Sequence, residues 1–128
     1  MKLPRVCWRP FYAGILCLFL GLVHPGCAKK NTVVLDNSTF NSAPPELREN
    51  WKAAGQYVSK NNYLGAATNL IALFSKSQQL TPEQNEALNQ VWVQLSNQAF
   101  EAANNGDKAA TEAVLKMKES GVGNRRGQ

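Results

Sequence analysis

The chain has 128 residues, room for one domain with a modest core. Its net charge of +5 is weighted to the start, where Lys2, Arg5 and Arg9 fall within ten residues; residues 27 to 128 hold eleven basic residues against nine acidic ones. No dense basic stripe exists, only the pairs Lys29-Lys30 and Arg125-Arg126, and this argues against a nucleic-acid partner.

The first element is a leader. Its basic start is followed by "FYAGILCLFLGLV", residues 11 to 23, which is uncharged and almost wholly apolar, and His24-Pro25 breaks the run. That order is the layout of a secretory signal. Thirteen residues fall short of the roughly 20 that a spanning helix needs, so an uncleaved anchor is the lesser alternative. Gly26-Cys27 closes the segment, a small residue before a cysteine just past the apolar run, and it resembles the lipobox of bacterial lipoproteins. The resemblance covers residues 1 to 28, with His24 standing where the family usually has Leu. It implies that residues 1 to 26 are removed and that Cys27 carries the lipid. With Ala28 rather than Asp next, it also implies sorting to the periplasmic face of an outer membrane. The alternative is ordinary cleavage after Ala28, which leaves a secreted or periplasmic domain. Cys7 and Cys17 lie in the leader, so the mature chain has no disulfide available and stands on packing alone.

Residues 27 to 45, rich in Asn, Ser, Thr, Ala and Pro, read as a flexible tether. "TVVL" within it has no partner strand and is expected to be loop. A helical domain is expected over 46 to 120, and residues 121 to 128 as a disordered tail.

The fold class expected is all-α: four antiparallel helices, as two helical hairpins or a small bundle. Leu47, Trp51, Ala54 and Val58 form one helical stripe, introduced by Pro44-Pro45 and closed by Asn61-Asn62. Leu64, Ala67, Ile71 and Phe74 form a second, widened by Leu70 and Leu73. Thr81, Pro82 and Gln84 spell a capping box with proline at the first helical position. The third helix then carries Leu88, Val91, Trp92, Leu95, Ala99 and Ala102. "NNGD", 104 to 107, ends it with Gly106 and caps the fourth with Asp107; Ala110, Val114 and Met117 follow, and Gly121 stops that helix.

Two stretches align with each other, from Trp51 and from Leu95, each with a small residue four later (Gly55, Ala99) and a turn at Asn62 or Gly106. A small residue comes next (Ala67, Thr111), then an aliphatic (Ile71, Leu115). The pattern resembles the tetratricopeptide helix pair, although the 44-residue offset exceeds that family's period. The resemblance implies a binding groove and places Glu49, Lys52, Gln56 and Lys60 on it, where two lysines suit an acidic or carboxylate-ended peptide.

Catalytic types are scarce. The one histidine, His24, belongs to the leader, and no nucleophile elbow, phosphate loop or dinucleotide fingerprint occurs. Glu46/Glu49 and Glu83/Glu86 are spaced three apart, but each pair falls in a first helical turn, where acids complement the dipole. No enzyme activity, metal or cofactor is expected. Trp92 and Phe100 do not both fit Leu95's face, so one of them is expected at the surface as a contact point. The expectation is a membrane-anchored envelope lipoprotein that binds another envelope protein or peptide. The alternative is a structural protein that forms homo-oligomers.

Overall fold

The structure is a computed structural model that describes residues 33 to 122. The leader, Cys27 and the first part of the expected tether lie outside the described residues, as do 123 to 128. Within them the fold is all-helical, with no strand. Four helices follow in order: α1 (Pro45–Ser59), α2 (Tyr63–Ser75), α3 (Pro82–Asn104) and α4 (Lys108–Glu119). Val33 to Asp36 form no regular element, as expected for loop, and a short 3-10 helix, Asn37–Phe40, precedes α1.

The ends of the helices are set by local chemistry. Pro45 sits at the first position of α1. In the capping box of α3, the Thr81 hydroxyl accepts from the Gln84 amide at 3.3 Å, and Gln84 Oε1 accepts from the Thr81 amide at 3.1 Å. Both hairpin turns are built alike. After α1, the Asn61 amide donates to the Val58 carbonyl at 3.0 Å and the Asn62 amide to Tyr57 at 2.9 Å. After α3, the Gly106 amide donates to Ala103 at 3.0 Å and the Asp107 amide to Ala102 at 3.0 Å. Asn61 (φ 54°) and Gly106 (φ 91°) supply the left-handed residue that this C-terminal motif requires. The very next side chain opens the following helix: Asn62 accepts from the Gly65 amide at 2.9 Å, and Asp107 from Ala110 at 3.1 Å. Asn62 therefore corresponds to Asp107 and Asn61 to Gly106, one position off the sequence alignment of Asn62 with Gly106.

Short turns make each pair antiparallel neighbours: α1 packs on α2 and α3 on α4, while α2 also lies against both α3 and α4. The expected stripes of α1 and α4 are buried, and so is that of α3 except Ala102, which is only partly covered. On α2 the buried line is Ala66, Ala67, Leu70 and Leu73, with Ile71 and Phe74 only partly covered. The helix is turned from its expected stripe because it has neighbours on more than one side, and the small Ala66 and Ala67 admit the closest approach.

One expectation about the tether is corrected over its described part. Residues 33 to 43 are not loose chain. Val33, Phe40 and Ala43 are buried, and the 3-10 helix packs against both α1 and α3. The Phe40 ring stacks on Trp51, with centroids 4.2 Å apart and planes at 12°. Trp51 Nε1 donates to the Asp36 carbonyl at 3.0 Å. Gln84 Nε2 donates to the Thr39 carbonyl at 3.0 Å and to Ser42 Oγ at 3.3 Å. Leu35 lies against Gly55, where a Cβ would come no closer than 3.7 Å. An apolar residue every few positions and three side-chain hydrogen bonds outweigh the polar composition of this stretch.

Candidate functional site

The sequence points to two sets of residues, and the structure keeps them apart. Glu49, Lys52, Gln56 and Lys60 all lie on α1 (Lys60 as its C-terminal cap), spaced by three, four and four, on the face turned from the buried stripe. Glu49, Lys52, Gln56 and Lys60 are mainly solvent-facing. Among the described residues the ion pair is Lys76 with Glu46, so none forms within this row.

Trp92 and Phe100 divide as anticipated. Eight positions apart on α3, they lie on one side of the helix, yet Trp92 is 6% exposed and Phe100 43%. Both line a groove between α3 and α4 of about 200 Å³, together with Ser96, Val114, Met117, Lys118 and Gly121. Trp92 is a fixed wall. The edge of Phe74 meets its ring at 5.4 Å and 78°. Ser96 Oγ donates to the Trp92 carbonyl at 2.7 Å and touches Met117 Sδ at 3.7 Å, which draws the two helices together at the groove floor. Phe100 forms the lip, with the Lys118 ammonium 5.6 Å from its ring centre. Leu115 and Val93, both exposed, extend apolar surface along α4 and α3. No residue of the α1 row lines this groove.

The α4 side of the groove is invisible to sequence periodicity. Met117 and Val114 read as core, and Lys118 as one of several charges on an outer face. Only the packing of α3 on α4 shows that this face of α4 opens beside Phe100.

Among the described residues two carboxyl groups are perturbed, and both lie at element starts away from the groove. The hydroxyl and amide of Ser38 hold Asp36 below the ordinary carboxylate value. Glu83's own amide and the Thr81 hydroxyl do the same for Glu83 in the first turn of α3. In the groove itself Lys118 is the single titratable side chain, so the lining offers apolar contact and one positive charge. Among the described residues no three His, Cys, Asp or Glu side chains are placed to hold a metal ion. No described helix is long and apolar enough to cross a membrane.

No family model, curated protein or solved structure matches the chain.

Proposed function

We propose that this protein is an envelope lipoprotein, anchored through Cys27, whose helical domain binds another envelope protein and performs no catalysis. The leader and Gly26-Cys27 support the anchoring half, and with Ala28 following they favour the periplasmic face of an outer membrane. One observation carries the binding half: a large aromatic, Phe100, stands 43% exposed at the lip of an apolar groove whose far wall is a fixed tryptophan. Groove and lip come from two rigid helices, so the surface is formed before any partner arrives. The helix pairs are proposed as a divergent tetratricopeptide-like module. The likeness of the two hairpin turns supports this, and so does the row Glu49, Lys52, Gln56 and Lys60 as a second contact surface.

Two measurements test the two halves. Intact mass of the chain, expressed with its own leader in a bacterium, gives acylated Cys27 if the anchor is correct and a free N-terminus at Lys29 if it is not. A photocrosslinking residue in place of the exposed Leu115, beside the groove, reports the occupant. An adduct with a different polypeptide supports the binding module. An adduct with a second copy moves the protein to a self-assembling structural role, and no adduct defeats both.

A further inference from the structure

The groove between α3 and α4 has a chemistry that selects among possible partners. At about 200 Å³ it is smaller than the roughly 300–1,000 Å³ typical of small-molecule and cofactor sites. That is the scale of one anchoring side chain, and the side chains of Trp92, Phe100, Val114 and Met117 in the lining favour an apolar one. The one polar side chain on the floor, Ser96, already spends its hydroxyl on the Trp92 carbonyl and Met117.

The mouth adds a charge. Lys118 is the only ionic group in the lining. Its ammonium rests over Phe100, and among the described residues no carboxylate pairs with it. The acids nearest in sequence, Glu101 and Glu119, each follow a groove residue by one position, about 100° round its helix, and neither lines the groove. This positive mouth sits on a domain of the opposite sign, since residues 33 to 122 hold seven basic side chains against nine acidic ones. All the charge contributed by the groove's lining is positive. An apolar surface beside an ammonium also excludes water and strengthens a charge pair formed there.

We propose that the groove docks an acidic segment of another protein, with one bulky apolar side chain between Trp92 and Met117 and an adjacent carboxylate on Lys118 Nζ. A second copy of this chain fits less well. A two-fold pairing through this face would set Lys118 against its own counterpart, and like charges at the centre of an interface oppose it. The proposal rests on the binding-module function and states which partner chemistry that module accepts.

The test uses the full chain, purified in detergent after expression with its own leader. The probes are two acetylated, amidated pentapeptides, Asp-Glu-Phe-Asp-Glu and its neutral counterpart Asn-Gln-Phe-Asn-Gln. Binding is read from the Met117 methyl and Trp92 indole NMR signals. The acidic peptide is expected to shift both signals and to bind about fivefold more tightly than the neutral one, the scale of one partly exposed charge pair. Lys118→Gln removes that preference, Lys118→Glu reverses it, and Phe100→Ala weakens both peptides alike. Circular dichroism confirms that the variants are folded. Equal affinity for the two peptides, no shift with either, or an acidic preference that survives Lys118→Glu overturns the proposal. Crosslinking through position 115 in the envelope separates this failure from that of the parent function. An adduct with another protein, unchanged by Lys118→Glu, leaves the binding module standing and removes the acidic partner. Absence of any adduct removes both.

Discussion

Gly55 and Gly65 look equivalent in sequence, each a helical glycine beside aromatic and small residues, yet their surroundings give substitution opposite signs. At Gly55 a Cβ would meet Leu35 at 3.7 Å, ordinary van der Waals contact. Alanine is about 1 kcal/mol better than glycine in a helix interior, so Gly55→Ala is expected to stabilise the domain by about 0.5–1 kcal/mol. At Gly65 the Cβ would lie 2.6 to 2.9 Å from three atoms of the Tyr57 ring, including the one that joins it to its stem. Overpacking of that kind costs about 1–3 kcal/mol, which outweighs the helix gain. Gly65→Ala is therefore expected to lower the urea midpoint, and Tyr57→Ala in the same chain to recover most of the loss. A Gly65→Ala protein as stable as the parent would mean that the ring swings aside freely. The perturbed acids belong to the same scale. Asp36 and Glu83 have native pKa values below their unfolded ones. Their stabilisation is complete above the unfolded carboxylate value, near pH 4, and is lost as pH falls through the lowered native values. The destabilisation caused by Asp36→Asn is expected at pH 7 and absent at pH 2, with urea midpoints as the measure; a constant difference across that range would remove the carboxylate from the account.

At the level of elements, Gln84 shows where local logic ends. As the third residue of a capping box it is legible from sequence, and glutamate serves that position equally well. Its other end is not legible. Gln84 is 2% exposed, and its Nε2 donates to Thr39 and Ser42, more than 40 residues away in the chain. Gln84→Glu keeps the acceptor for Thr81 but turns a buried carboxylate toward the Thr39 carbonyl. A buried group left without its partner costs about 1–3 kcal/mol. The expected melting temperature falls by roughly 4–8 °C per kcal/mol for a domain of this size; an unchanged melting curve would show that the segment before α1 is held without this bond. The same division explains what else was readable. Caps and the stripes of α1, α3 and α4 depend on neighbours within four residues, and apart from the half-covered Ala102 these stand as expected. The rotation of α2, the burial of Phe40 and the α4 side of the groove depend on contacts between elements, which no periodicity encodes. Trp92 and Phe100 were separable because one helix face does not bury both, whereas Lys118 acquires meaning only from the ring it covers.

Across the whole chain, charge and packing divide the molecule differently from composition. All nine acidic residues fall between 33 and 122, while residues 1 to 32 carry five basic residues and 123 to 128 two more. The basic character therefore flanks a slightly acidic helical unit and does not belong to it. Composition alone starts that unit at Glu46; packing starts it at Val33. The two boundaries predict different consequences of shortening the chain. Removing residues 28 to 32 spares every described contact and is expected to leave thermal unfolding unchanged. Removing 28 to 41 takes away Val33, Leu35 and Phe40, and with them the carbonyls that accept from Trp51 and Gln84. Loss of a buried phenylalanine side chain alone costs about 3–5 kcal/mol, and the Trp51 indole loses its acceptor while Gln84 keeps only Ser42, a further cost of about 1–3 kcal/mol. Together these approach the roughly 5–15 kcal/mol by which a domain is stable at all, so the shorter chain is expected to be largely unfolded at 37 °C. Melting followed by circular dichroism distinguishes the two boundaries directly. Matching curves for both deletions would return residues 33 to 43 to the role of a mere connector, and the stack of Phe40 on Trp51 would then contribute nothing that the four helices do not already supply.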